Sequence, residues 1–241
     1  YFNSIEYKVQ HREFVTHTGT YKGKKISVIS SGIGCDNIDI VINELDALVN
    51  IDFNTKIINS NKKKLNFFRL GTSGSLQEDI LVDTYLVSEY AIGFDGLAHF
   101  YRETEHIEQQ ITDTFIKHSQ WPKKLANPYI VKASECLLNK FEGFKAGITA
   151  TASGFYAPQG RELRIKSSMP NMQEKLNTFR FNKHKICNFE MESSALYYLG
   201  KSLGHNTLTV CAIIGNRILQ NQSKNYKETV EKLIQEVLER I

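Results

Sequence analysis

Ile26-Ser27-Val28-Ile29-Ser30-Ser31-Gly32 is the stretch on which the fold turns. It is a short run rich in β-branched residues that ends at a glycine. Beyond it Ile38, Val41, Ile42, Leu45, Leu48 and Val49 recur at helical spacing. The reading is strand, glycine turn, helix, with Asp36 or Asn37 placed to cap the helix through a short side-chain acceptor. Working outward, residues 64–72 predict a second strand and residues 80–92 a longer apolar stretch, while 144–153 and 186–191 read as further strands. Ala195, Leu196, Leu199 and Leu203 form a helical stripe over 193–203, closed by Gly204, which suits a left-handed C-terminal position. Residues 207–214 give the last strand. Val230, Leu233, Ile234, Val237, Leu238 and Ile241 then trace one face of a C-terminal amphipathic helix. Strands separated by helices, without tight hairpin signals at most junctions, predict an α/β three-layer sandwich with a mixed central β-sheet flanked by helices. No repeat or Pro-rich linker divides it, so residues 1–241 are expected to form a single domain.

Composition narrows the class. With 241 residues, 41% of them hydrophobic, the chain can fill one large core. No stretch approaches the ~18 uninterrupted apolar residues of a membrane span, and a soluble protein without membrane partners is expected. The net charge of +4 is small and dispersed, which argues against a nucleic-acid surface. The basic run Lys62 to Lys64 follows Asn59, Ser60 and Asn61 and reads as a solvated loop rather than a polyanion site. Cys35, Cys136, Cys187 and Cys211 form no CxxC pair, consistent with a reducing, cytoplasmic setting. His99 and His106, with Glu103 and Glu105 between them, make no metal-ligand pattern, and no metal is expected from the residues themselves.

Ligands in α/β folds sit at the carboxyl ends of strands, where this sequence concentrates its polar clusters. Ser31-Gly32-Ile33-Gly34-Cys35-Asp36-Asn37 offers a GxG but lacks the third glycine and the acidic residue of a dinucleotide site, so a tight turn is the better reading. Arg69-Leu70-Gly71-Thr72-Ser73-Gly74-Ser75 ends a strand in a guanidinium, hydroxyls and glycines, either an oxyanion cradle or a salt-bridged arginine beside a polar loop. Gly154-Phe155-Tyr156-Ala157-Pro158-Gln159-Gly160-Arg161 presents aromatics to stack on a flat ring, with an amide and a guanidinium for its edge. Asn188-Phe189-Glu190-Met191-Glu192-Ser193 turns a strand into a helix with two acids around a methionine, one of which can simply favour the helix start.

In this order and spacing, these clusters resemble the nucleoside phosphorylase family in its pyrimidine-specific branch, together with Gln10-His11-Arg12-Glu13-Phe14 and Ile213-Ile214-Gly215-Asn216-Arg217. The resemblance covers nearly the whole chain. It implies an enzyme, a pentosyltransferase of pyrimidine nucleoside salvage that cleaves uridine to uracil and ribose 1-phosphate, with inorganic phosphate as co-substrate and no other cofactor required. It also implies the site. Arg69 and Thr72 bind phosphate, helped by Arg12 of a neighbouring subunit. Met191 and Glu192, with Thr72, hold the ribose. Phe155 and Ile214 flank the base, and Gln159 with Arg161 read its edge. Arg69, Thr72, Gln159, Arg161 and Glu192 carry the catalysis, in homodimers that share active sites and assemble into hexamers. Purine-specific branches place an aspartate near the end of the last strand, and Ile214 to Arg217 contains no acid, which favours a pyrimidine.

The family also has an earlier strand with a Gly-Asp-Pro turn and an arginine. Neither is present, and the chain starts at Tyr1, so an N-terminal segment is expected to be missing. Gly34-Cys35-Asp36-Asn37 replaces a serine that some relatives use near a monovalent cation, for which the resemblance implies Glu13 as the ligand. The alternatives are a nucleosidase or a purine nucleoside phosphorylase of the same family, and a nucleoside-binding relative without turnover.

Overall fold

Segments of seven or eight residues with no helix between them fold back on themselves at the start of the chain. In the computed structural model, which describes all of Tyr1–Ile241, β1 (Ser4–His11), β2 (Phe14–Tyr21) and β3 (Lys24–Ser30) form an antiparallel three-stranded meander. Its second turn, Lys22-Gly23, has φ of 47° and 76°, the left-handed pair that matches the twist of a tight hairpin. The sequence reading found β3 but not the hairpins before it. The remaining elements follow in order: α1 (Cys35–Asn50), β4 (Ile51–Asp52), β5 (Ile57–Ile58), β6 (Asn66–Ser75), β7 (Tyr85–Gly93), α2 (Gln109–Ser119), β8 (Tyr129–Lys132), α3 (Glu135–Leu138), β9 (Lys145–Thr151), α4 (Met172–Thr178), β10 (Arg180–Phe181), β11 (His184–Glu190), α5 (Ser193–Ser202), β12 (Asn206–Asn216), β13 (Asn221–Gln222) and α6 (Tyr226–Leu238).

The main sheet is mixed, as expected, with strand order β13-β12-β6-β11-β9-β7-β8. The pairs β6–β12, β9–β11 and β7–β9 are parallel, whereas β6–β11, β7–β8 and β7–β12 are antiparallel. Because β12 bonds to both β6 and β7, the strands β6, β11, β9, β7 and β12 close into a ring, which leaves fewer open edges than a flat sheet.

Helices cover the sheet on two sides, as strand alternation requires. In β8, Tyr129 and Val131 point into a core shared with Ile38 and Ile42 of α1, Leu196 of α5 and Leu233 of α6. Ile130 between them points into the other core, against Ile111 and Phe115 of α2 and Met172 and Leu176 of α4. Burial on both faces explains why these strands read as nearly continuous apolar runs.

The cap of α1 differs from expectation. Gly34, at φ 102°, takes the N-cap position with no side-chain cap, and Asp36 lies in the first turn, where an acid favours the helix dipole. The chain reaches the helix by a positive-φ step that only glycine takes easily, and the cap lies two residues before Asp36 and three before Asn37. Gly204 does adopt the left-handed conformation after α5, at φ 82°. No helix is long and apolar enough to cross a membrane.

Candidate active site

The carboxyl ends of β6, β11 and β12 and the loop after β9 surround one cleft of about 960 Å³. Arg69, Thr72, Phe155, Gln159, Arg161, Met191, Glu192 and Ile214 all line it, although they come from four separate parts of the chain. Arg12 and Glu13 do not. They sit exposed on the turn between β1 and β2, outside this chain's own cleft.

At one end the sheet buries a charge cluster. Arg69 of β6 forms an ion pair with Glu190 at 3.1 Å and a second, hydrogen-bonded one with Glu192. Burial disfavours its charge, but the two carboxylates more than offset this and raise its pKa. Glu190, at the last position of β11, accepts hydrogen bonds from the Thr151 hydroxyl at 2.6 Å and from the N–H groups of Glu192 at 2.9 Å and Ser193 at 3.0 Å. It thereby satisfies free donors at the start of α5. Burial raises the Glu190 pKa, Arg69 opposes the shift and Glu192 adds to it. Glu192 Oε1 accepts the Gly34 N–H at 2.7 Å, tying the turn before α1 to the start of α5. The guanidinium also donates to Cys211 Sγ at 3.7 Å, and burial pushes that thiol up to about 11.

This arrangement changes one expectation. Of the two readings left open for Arg69, a salt-bridged arginine or an oxyanion cradle, the resting geometry is the first, and both its partners belong to the acid pair around Met191. An anion arriving here meets a guanidinium already held by two carboxyls.

The other end is built around Gln159, which is 4% exposed. Its Oε1 accepts from Arg161 Nη1 at 2.6 Å and from Arg217 Nη2 at 2.6 Å, while its main-chain oxygen accepts from Arg217 Nη1 at 2.5 Å. Arg161 also donates to the Phe155 carbonyl at 2.7 Å, and its guanidinium lies 3.8 Å from the centre of the Phe155 ring. That face of Phe155 is therefore covered by Arg161, where the resemblance implied contact with a base. Phe189, buried in the cleft wall and not assigned a role from sequence, supplies another aromatic surface, with Arg217 5.0 Å from its ring centre.

Arg217 was missed as well. It stood inside a quoted segment, but its partner Gln159 is 58 residues away, and no local pattern signals the pairing. Asn216 beside it is not free to bind a ligand. Its amide donates to the carbonyls of Gln77 and Ile80 at 2.9 Å and accepts the N–H groups of Ile218 and Leu219 at 2.9 Å, so the end of β12 is held by a saturated side chain.

A cleft with an acid-bound arginine at one end and an amide gripped by two arginines at the other, on a closed mixed sheet flanked by helices, has the form of a nucleoside phosphorylase, a class of pentosyltransferases. The comparisons agree. The sequence model of the phosphorylase superfamily matches residues 1–241. A Trypanosoma brucei nucleoside phosphorylase, whose crystal structure is described as showing uridine phosphorylase activity, superposes with a TM-score of 0.88 at 30% identity, covering 100% of this chain and 87% of that one. The uridine phosphorylase of Thermococcus kodakarensis is 29% identical over 214 residues, 89% of this chain and 66% of that protein. A DeoD-type purine nucleoside phosphorylase from Clostridium perfringens is 26% identical over 230 residues, 95% of this chain and 80% of its own length. The chain belongs to the phosphorylase superfamily.

Proposed function

We propose that the protein catalyses phosphorolysis of uridine, giving uracil and ribose 1-phosphate, as a cytoplasmic enzyme of pyrimidine nucleoside salvage. The observation that carries this reading is the donor-rich Gln159–Arg161–Arg217 cluster at one end of the cleft that holds Arg69, Thr72, Met191 and Glu192 at the other. A pyrimidine dione offers carbonyl acceptors to such donors. No carboxylate stands at the end of β12 to share a proton with a purine ring nitrogen, and Asn216 there is saturated.

Cleavage of the glycosidic bond leaves a cationic sugar and an anionic base. Phosphate supplies the attacking oxygen, so no covalent nucleophile is needed. Arg69 and Thr72 hold phosphate beneath the sugar, Met191 and Glu192 fix the ribose, and orientation of the two reactants lowers the barrier. When phosphate takes the Arg69 fork, Glu192 is released from its ion pair and becomes free to accept from the ribose hydroxyls. At the far end Arg161 and Gln159, with Arg217, stabilise charge that grows only as the bond breaks, and such contacts raise the rate. Arg12 completes the phosphate site of a neighbouring subunit in a dimer that assembles further into hexamers. Glu13 is the carboxylate assigned to a structural monovalent cation. Chromatography of uridine and inosine incubated separately with enzyme and phosphate tests the base choice. Uridine is expected to turn over by far the faster, since a site of buried donors rejects a ring that leaves them unpaired by a factor on the order of 10⁴. Equal rates would return the assignment to the purine branch.

A further inference from the structure

A helix begins with N–H groups that its own turns cannot satisfy, and the partners of those groups decide where its first turn stands. α5 has no side-chain cap at Glu192, the residue before it. The N–H groups at its start go to the ends of strands instead. Those of Glu192 and Ser193 reach the Glu190 carboxyl, and that of Ser194 reaches the Thr151 hydroxyl at 3.0 Å, at the end of β9. Two hydroxyls then pin the turn from outside. Ser193 donates to Thr209 of β12 at 3.0 Å, and Ser194 donates to Asp95 at 2.8 Å. Only the second pin ends on a carboxyl, and hydrogen bonds to a charged group are the stronger kind.

Asp95 lies two residues beyond the end of β7, in a turn closed by Gly96 at φ 77°. Its Oδ1 accepts the Leu97 N–H at 2.8 Å and the Tyr129 hydroxyl of β8 at 2.8 Å, while Oδ2 accepts Ser194. All three neighbours donate, so what they hold is the carboxylate. Gly93 leaves the room this needs, since a Cβ there would lie 2.6 Å from both Asp95 Oδ2 and the Tyr129 ring. The same turn is bonded to β9 through the Phe94 N–H and the Thr151 carbonyl at 3.0 Å. The ends of β7 and β9 and the middle of the molecule thus meet at one serine of α5. Asp95 itself does not line the cleft.

Glu192 stands two residues before Ser194, and its carboxyl is shared between Arg69 and the Gly34 N–H. A first turn that shifts or rotates carries that carboxyl with it. We propose that Asp95 is a positioning residue for ribosyl transfer: by gripping Ser194 it sets the first turn of α5, and with it the reach of Glu192 to the sugar. The proposal rests on the uridine phosphorolysis reading for the contact between Glu192 and the ribose hydroxyls, and adds to it a residue that touches neither substrate.

Two variants of the full chain test this from opposite sides of the contact. Asp95→Asn keeps the size of the side chain but turns an NH2 group toward neighbours that are all donors. Ser194→Ala removes the grip and leaves Asp95 in place, and it decides alone if Asp95→Asn does not fold. Amide hydrogen exchange, which needs no substrate, is expected to quicken at least about tenfold at Ser193 and Ser194 in each variant, while the amides of β6 and β12 keep their parental rates. Calorimetric titration with ribose 1-phosphate and 2-deoxyribose 1-phosphate, without base so that nothing turns over, reads the sugar contact. The preference for the ribose compound should narrow by about fivefold or more, part of what loss of the charged bond from Glu192 itself produces, and uracil affinity should stay as it is. A merely structural role weakens both sugars alike and leaves their ratio unchanged. In a Glu192→Gln background, Asp95→Asn should narrow the ratio no further. Parental exchange at Ser193 and Ser194, an unchanged sugar preference, or a ratio loss that adds in full to that of Glu192→Gln overturns the proposal. A parent that fails to cleave uridine, alongside local quickening and a narrowed sugar preference, rejects only the phosphorolysis reading. Cleavage by the parent alongside unchanged exchange and preference in the variants rejects only the role of Asp95.

Discussion

Arg69 and its two acids concentrate the energetic risk of the molecule in three side chains. Removing the guanidinium in Arg69→Ala leaves Glu190, fully buried, without its cation, and breaking a buried pair in this way costs about 3–5 kcal/mol. The pH dependence has a definite sign. Burial already raises the Glu190 pKa and Arg69 holds it back, so the variant's Glu190 rises further. A carboxyl whose folded pKa exceeds its unfolded one contributes stability below the unfolded pKa that is lost as pH rises through the folded value. The stability deficit of Arg69→Ala relative to the parent should therefore grow from acid toward neutral pH in urea titrations, and a deficit independent of pH would show that Glu190 is not the group left buried without a partner. Glu192 carries a different prediction. If it takes the ribose hydroxyls once phosphate has claimed Arg69, Glu192→Gln weakens a charged hydrogen bond of roughly 1.5–3 kcal/mol. The preference for uridine over deoxyuridine should then narrow by about tenfold or more, and an unchanged ratio of kcat/KM would confine Glu192 to its contacts with Arg69 and Gly34.

The start of α5 sets where Glu190 and Glu192 stand, so the packing of that helix reaches the chemistry directly. Gly200 lies where a Cβ would meet Thr207 Cγ2 of β12 at 2.2 Å. Glycine to alanine inside a helix ordinarily stabilises by about 1 kcal/mol, but overpacking a tight contact costs typically 1–3 kcal/mol, and at this distance the clash dominates. Gly200→Ala is expected to lower the melting temperature and, by shifting α5 against β12, to lower kcat as well, whereas a stabilised, fully active variant would mean the helix and strand can part without moving the site. The sequence displayed α1, α5 and α6 through their periodicity, and β6, β9, β11 and β12 through runs that are apolar because both faces are buried. It did not display β1 and β2. Ile5, Tyr7 and Val9 remain exposed, and the Arg12-Glu13 turn lacks the glycine or asparagine that marks a hairpin. The site was legible as polar clusters at strand ends. The pairings within it were not, since Arg69 and Glu192 lie 123 residues apart and Gln159 and Arg217 lie 58 apart, and no local signal ties such residues together.

For the whole molecule, Arg12 stands exposed outside this chain's own cleft, where Arg69 meets two acids, so the proposed sharing of active sites between subunits is tested through assembly. Arg12→Ala and Glu192→Ala, each inactive alone, should recover partial activity when their subunits are mixed and reassociated, because some heterodimer sites receive both parental residues. Full activity of Arg12→Ala alone, or no recovery despite demonstrated subunit exchange, would reduce Arg12 to an exposed turn residue. The proposed oligomer, the proposed charge swap at Arg69 and the donor cluster at Gln159 all bear on one central claim, transfer of the ribosyl group to phosphate. The most direct test follows both products of uridine cleavage in the presence and absence of phosphate, uracil by chromatography and the sugar by phosphorus NMR. The account predicts uracil and ribose 1-phosphate in equal amounts, and no uracil without phosphate. Equal uracil release in both conditions, with free ribose as the sugar product, would contradict it.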